Sequence, residues 1–197
     1  MIFKETTIKG VYTIDLERRA DERGYFARTY CREEFARRGI ACDIVQSSIS
    51  CNPKRGTFRG MHYQRKPYAE KKLVSCMQGA VYDVVVDLRP DSPTHRRWLA
   101  VVLSLSDFAF SSHVSPLTSH ASGIFIPEGC AHGFQTLTDD ALVLYQMSEF
   151  YHPESAAGVR WDDPAFGIRW PFPPAVVSEK DRSYEFVIPA DSKREPI

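Results

Sequence analysis

Apolar and polar positions alternate over short stretches of this chain, and the alternation breaks every few residues at Gly, Pro, Asn or Asp. Period-two patterning bounded by turn residues predicts β-strands. Residues 71–77 and 80–88 flank Gln78-Gly79, which reads as a hairpin turn joining two paired strands. Residues 98–105 form a third β-rich run and Gly123–Ile126 a fourth. Residues 133–137 and Ala141–Met147 form a second predicted hairpin across Asp139-Asp140. The best helix candidate is residues 32–38, stopped by Gly39. Many short strands with turns at this spacing predict an all-β sandwich or barrel, expected as one domain over residues 1–197. The polar stretch 106–122, rich in Ser, His, Thr and Pro, reads as a long surface loop, and the tail after Pro189 as frayed.

Strand alternation also sorts side chains by face. Within residues 81–87 one face carries Val81, Asp83, Val85 and Asp87, and the other Tyr82, Val84 and Val86. A face mixing Asp with Val lines a polar cavity or meets water. The same ambiguity holds for Lys72, Val74 and Cys76, and for Val143, Tyr145 and Met147. A β-barrel wide enough to hold a ligand accounts for all three together.

Composition narrows the class. The 197 residues include 12 Phe, 9 Tyr and 3 Trp, too aromatic for a disordered chain, and 25 Lys+Arg balance 25 Asp+Glu. Zero formal charge argues against a general nucleic-acid binder, which needs a cationic surplus to displace counterions. The charge is unevenly placed: residues 1–72 hold 16 basic and 9 acidic side chains, a surplus of +7, which suits a local anion site. No apolar run approaches the roughly 20 residues that span a bilayer. The first residues do not read as a signal peptide, so the expected location is the cytoplasm. Cys31, Cys42, Cys51, Cys76 and Cys130 are odd in number and lack a CxxC pair, so reduced thiols are expected.

Three neighbourhoods could carry chemistry. In Arg55-Gly-Thr-Phe-Arg-Gly-Met-His-Tyr-Gln64, glycines before and after Arg59 permit a bulge that turns Arg59 and His62 to one side. Lys72 stands at the mouth or wall of a strand, and His132 sits in a Gly-flanked turn entering another. Each has a plainer reading: a hydrogen-bonded structural His, a solvated Lys, a core Tyr145. Their convergence on polar positions of apolar strand faces favours function. A second imidazole in register with His62 is missing, and His113, His120 and His152 have no partner at metal-ligand spacing, so no metal is expected. No Walker loop, GxGxxG or GxSxG element occurs.

Seven motifs then occur in order: Asp21-Glu-Arg-Gly-Tyr-Phe26, Gly56-Thr-Phe-Arg-Gly-Met-His-Tyr-Gln64, Lys72-Leu-Val, Val84-Val-Val-Asp-Leu-Arg89 with Ser92-Pro-Thr94, Ile126-Pro-Glu-Gly-Cys-Ala-His-Gly-Phe134, Arg160-Trp-Asp-Asp-Pro164 and Ser178-Glu-Lys-Asp181. Over nearly its whole length the chain resembles the dTDP-4-dehydrorhamnose 3,5-epimerase family. The resemblance implies a cupin-type double-stranded β-helix (jelly roll) with a short N-terminal helix and short C-terminal helical or coil segments. It further implies a homodimer with exchanged N-terminal strands, no cofactor, and a nucleotide-diphosphate keto-sugar as substrate, with no nucleic-acid or membrane partner.

By that resemblance the chain is an isomerase of deoxysugar biosynthesis that inverts C3 and/or C5 of a 4-keto-6-deoxy sugar through an enolate. His62 is then the base and Asp181 its orienting carboxylate. Tyr145 is the opposed proton donor, Lys72 lies near the enolate oxygen, and Asp83 is a second partner for His62. Arg23 and Phe26, reaching from the partner subunit, match contacts to the diphosphate and the base; Gln46, Arg59, His132 and Lys180 match further substrate contacts. The pattern departs from the family at Arg28, at Ser47, Ser48 and Ile49, at Ala156 with Glu154 nearby, and in a longer stretch between Leu105 and Ile124. The proton-transfer set is kept and the recognition set altered, which predicts a different nucleotide-linked keto sugar or inversion of one carbon only. A non-catalytic nucleotide-sugar-binding jelly roll and a metal-dependent cupin enzyme are the competing readings.

Overall fold

Fourteen short strands and two one-turn helices make up the fold in a computed structural model that describes residues 1–105 and 118–187. One six-stranded sheet has the order β1 (Ile2–Glu5), β2 (Tyr12–Asp15), β11 (Gly123–Ile126), β7 (Lys72–Gln78), β13 (Ala141–Met147), β5 (Gln46–Asn52). The other has the order β10 (Ser119–Ala121), β9 (Trp98–Leu103), β8 (Val81–Asp87), β12 (Cys130–Thr136), β6 (Phe58–Gln64), β14 (Ala156–Gly158). A separate two-stranded ribbon, β3 (Arg19–Asp21) with β4 (Gly24–Phe26), precedes α1 (Arg32–Ala36), and α2 (Glu179–Ser183) follows the last strand. Successive strands from β5 to β8 and from β12 to β13 cross between two stacked sheets, giving the jelly roll.

Both predicted hairpins are corrected by this topology. The turn at Gln78-Gly79 joins β7 to β8, and the turn at Asp139-Asp140 joins β12 to β13, yet each pair lies in opposite sheets. β7 bonds β11 and β13, while β8 bonds β12 and β9. Turn residues mark where the chain reverses; the neighbour a strand pairs with is chosen by packing across the core. The predicted run 98–105 ends as a strand at Leu103, and the predicted helix ends at Ala36, with Gly39 at a φ of 73° beyond it. Of the predicted polar loop, residues 106–117 lie outside the described residues and 119–121 form β10. The predicted frayed tail also lies outside them.

Three apolar clusters explain why the layers hold. Between the sheets, Val74, Cys76 and Val143 of one sheet meet Val81, Val85, Val101 and Phe134 of the other. The mixed strand faces noted above therefore all turn inward. The opposite face of β8, with Tyr82, Val84 and Val86, does not meet water either, because Trp161, Trp170 and Phe172 of the C-terminal stretch cover it. On the outside of the first sheet, Phe35 of α1 packs its ring 4.9 Å from Phe3 and 5.5 Å from Phe125. A five-residue helix is not stable alone, and burying one Phe contributes about 1.5–3 kcal/mol, so this contact holds α1 in place.

Two local devices set up the interior. At the end of β8 the buried Asp87 carboxylate accepts from Arg89 Nε and Nη2, both at 2.8 Å, and from the Ser92 and Thr94 hydroxyls. In β6, Gly60 adopts a φ of 138°, and a Cβ there would meet Gly133 Cα at 2.4 Å. The register with β12 slips at this point, from His132 opposite His62 to Phe134 opposite Arg59, so β6 carries one extra residue.

Candidate active site

The slip in β6 places His62 at the inner wall of the second sheet, where its Nε2 lies 2.6 Å from Asp181 Oδ1. Asp181 belongs to α2, whose N-cap Ser178 accepts from the Asp181 N–H at 3.0 Å. The Ser178-Glu-Lys-Asp181 string is thus a capped turn that delivers a carboxylate into the wall. The Asp181 side chain is 5% exposed and that of His62 40%. Burial alone would raise the Asp181 pKa, but hydrogen bonds from His62, Ser178 and the Gly60 N–H together hold it below its ordinary value. A carboxylate accepts only, so the His62 ring donates from Nε2, and in the neutral ring the lone pair then sits on Nδ1.

Asp83 does not serve His62. Its Oδ2 lies 2.7 Å from His132 Nε2, with both side chains almost fully buried. His132 and His62 are register neighbours on β12 and β6, and the interior direction of Asp83 on β8 leads to the nearer strand, β12. Burial pushes the Asp83 carboxyl up, against the pull of His132 and Lys72, and its Oδ1 has no hydrogen-bond partner among the described residues.

Tyr145 comes from β13 in the opposite sheet, beside Ser48 of β5 and Val74 of β7. Its ring stands edge-on to His132 at 6.1 Å between centroids. Burial, and behind it Asp83, push its phenol well above the ordinary value, so it stays protonated across the neutral range. Lys72 of β7 donates from Nζ to the His62 carbonyl oxygen at 3.1 Å and lies 2.9 Å from Glu70 Oε1.

Between these walls lies a cavity in two adjoining lobes of about 450 and 330 Å³, and Ser48, His62, Lys72, Tyr145 and Lys180 line both. The first lobe adds Arg59, His132 and Asp181, with the 68% exposed Ile49 at its rim; Arg59 Nε donates to Asn52 at 2.8 Å. The second adds Gln46, Glu70, Tyr151, Ala156 and Tyr184. Glu70, Tyr151 and Tyr184 were not singled out from sequence; the signal for Glu70 was its place two residues before Lys72. A larger recess of about 730 Å³, around Arg65, Arg89 and Glu128, holds none of the proton-handling side chains.

Four expected contacts lie elsewhere in the single chain. Arg23 pairs with Asp21 and Arg28 with Glu34, and Phe26 and Arg28 line a small cleft with Met1 and Glu17. Ser47 is exposed on β5 and lines neither lobe. Glu154 pairs with His152 at 3.0 Å and leaves Ala156 facing the second lobe. Among the described residues no three His, Cys, Asp or Glu side chains gather in a way that could hold a metal ion.

The arrangement can take a proton on one side of a bound molecule and return one from the other, with a cation beside the charge that develops. Comparison with known proteins agrees in kind. A family model described as dTDP-4-dehydrorhamnose 3,5-epimerase matches residues 5–187. An enzyme of that description from Methanothermobacter thermautotrophicus is 40% identical over 187 residues, covering 93% of this chain and 92% of its own. The crystal structure of the Bacillus anthracis dTDP-4-dehydrorhamnose 3,5-epimerase, with TDP and PPi bound, superposes with a TM-score of 0.83 at 32% identity, covering 94% of this chain and 99% of that one. ChmJ, a 3′-monoepimerase from Streptomyces bikiniensis in complex with dTDP-quinovose, gives 0.76 at 28% identity, covering 92% and 85%.

Proposed function

The chain belongs to the dTDP-4-dehydrorhamnose 3,5-epimerase family, and on that premise we propose how its residues divide the work. It is a carbohydrate epimerase of deoxysugar biosynthesis, acting on a nucleotide-diphosphate-linked 4-keto-6-deoxy sugar at C3 and/or C5 through an enolate. The carbonyl at C4 acidifies the hydrogens on both neighbouring carbons. His62 Nδ1 takes one of them as a proton, and the C–H electron pair moves into a C=C bond while the C4 oxygen gains charge. Asp181 stabilises the imidazolium, and the Lys72 ammonium stabilises the enolate oxygen. The Tyr145 O–H then protonates the same carbon from the opposite face, the carbonyl re-forms and the centre is inverted. His62 loses its proton to solvent and the Tyr145 phenolate regains one.

The observation that carries this reading is the facing of His62 and Tyr145 from opposite sheets across one cavity. Arg59 and Lys180, cations without a carboxylate partner among the described residues, suit the diphosphate, with Gln46, Ser48 and His132 as further contacts. The nucleoside end draws on a second copy of this chain. Phe26, 71% exposed beside Tyr25 on the β3–β4 ribbon, lines no lobe of its own chain, which supports a homodimer in which Arg23, Phe26 and Arg28 serve the neighbouring site and Ser47 meets the incoming ribbon. Five unpaired cysteines support a reducing compartment, the cytoplasm, and no helix among the described residues is long and apolar enough to cross a membrane.

Incubation with dTDP-4-keto-6-deoxyglucose in deuterated water tests the reading. Deuterium is expected at C3, C5 or both, and its absence at both carbons, for this and for other nucleotide-diphosphate 4-keto sugars, refutes it. The same panel reads out the preferred nucleotide and which carbon inverts, the points on which Ser48, Ile49 and Ala156 bear.

A further inference from the structure

Lys72 meets two acceptors at the junction of the lobes, and one of them is a carboxylate that the mechanism above leaves unused. Its Nζ lies 2.9 Å from Glu70 Oε1 and donates to the His62 carbonyl oxygen at 3.1 Å, with the Lys72 and Glu70 side chains only 12% and 11% exposed. An ammonium has three N–H bonds. Two are committed here, which leaves one for a bound ligand. Glu70 itself lines the second lobe, so this ion pair is part of the cavity wall.

A lysine stem is long and flexible, and a single anchor does not fix its ammonium. Released from Glu70, the ammonium keeps only the His62 carbonyl oxygen as an anchor and is free to swing away from the ligand. We propose that Glu70 is a positioning residue that holds Lys72 by a hydrogen bond, so that its remaining N–H meets the C4 oxygen of the keto sugar. The inference rests on the role given to Lys72 above. What it requires of Glu70 is an acceptor oxygen at the right place, which a neutral amide also supplies.

The test is turnover of dTDP-4-keto-6-deoxyglucose by wild type, Glu70→Ala, Glu70→Gln, Lys72→Met and the Glu70→Ala/Lys72→Met double variant, with thermal unfolding of each. Glu70→Ala is expected to lower kcat by about tenfold to a hundredfold with KM within about threefold of wild type, since a misplaced group costs on this scale. Glu70→Gln is expected to recover kcat to within about threefold of wild type, and Glu70→Ala to cost nothing further once Lys72 is Met. If Glu70→Ala does not fold, the near-isosteric Glu70→Met against Glu70→Gln gives the same comparison. A Gln variant as impaired as Ala or Met, a kcat indifferent to Glu70, or additive losses in the double variant overturns the inference while leaving the functional reading intact. A Lys72→Met enzyme with full turnover overturns the role given to Lys72 and this inference with it, while absence of turnover in the wild type is what would overturn the functional reading.

Discussion

Asp181 Oδ1 and His62 Nε2 meet at 2.6 Å across 119 residues of chain, so a short C-terminal helix supplies the carboxylate that fixes the tautomer of the imidazole in β6. Asp181→Asn keeps the shape and can present an amide N–H to the ring, which favours the tautomer with its proton on Nδ1 and its lone pair turned away from the cavity. Deuterium incorporation at the sugar is expected to fall by about 10²–10⁴, the range a positioned base contributes, and His62→Ala to do at least as much. Undiminished exchange in either variant, read by mass spectrometry, would remove the pair from the mechanism.

Tyr145→Phe separates exchange from inversion. The phenol is held protonated well above neutral pH, and Phe removes only its oxygen while the ring stays packed against the inter-sheet core. Proton abstraction by His62 is expected to continue, with return to the same face, while inverted product falls by about 10²–10⁴. NMR of the sugar in deuterated water distinguishes label with retained configuration from label with inversion. Loss of both together would assign Tyr145 to binding.

Asp87 lies outside the cavity and predicts a stability effect. Burial would raise its pKa, but the hydrogen bonds from Arg89, Ser92 and Thr94 prevail and hold it far below the ordinary aspartate value. A carboxyl lowered on folding contributes stability that is complete above about pH 4 and is lost as pH falls toward the folded value. Asp87→Asn is therefore expected to cost about 1–3 kcal/mol at pH 7, because Arg89 loses a charged hydrogen-bond partner while remaining partly solvated. The difference from wild type should shrink on acidification. Denaturant melts at pH 7 and below pH 4 measure both.

If the β3–β4 ribbon serves the neighbouring subunit's site, as proposed above, mixed dimers should show complementation. Arg23→Ala and His62→Ala subunits, each deficient alone, are expected to recover about a quarter of wild-type activity when unfolded and refolded together, since half of the dimers are mixed and each holds one complete site. A mixture no more active than its parts would place Arg23 outside the neighbouring site.

Strand positions were legible in the sequence because alternation is a property of the strand itself, as residues 81–87 and 141–147 show. Pairing was not, since Gln78-Gly79 and Asp139-Asp140 announce a reversal without saying that the returning strand joins the other sheet. Parity put Asp83 on one face with Val81 and Val85 without saying whether that face met a cavity or water, and its partner follows from β8 lying beside β12, which brings His132 rather than His62 within its reach. The ordered motifs contain His62 and Lys72, strand parity and the family resemblance pointed to Tyr145, and the structure brings the three to one cavity. Tyr151 and Tyr184 stayed hidden because nothing in a linear string marks a side chain as lining a cavity when its neighbours there come from other elements, whereas Glu70 was signalled only by its place two residues before Lys72.

The groups around the cavity are drawn from β6, β7, β13 and α2, which means both layers and the last described helix. No fragment that stops short of Asp181 contains the whole proton-transfer set. A nascent chain still tethered to the ribosome before residue 181 emerges carries an imidazole without its carboxylate, and only the finished molecule can begin to touch a reactive keto sugar.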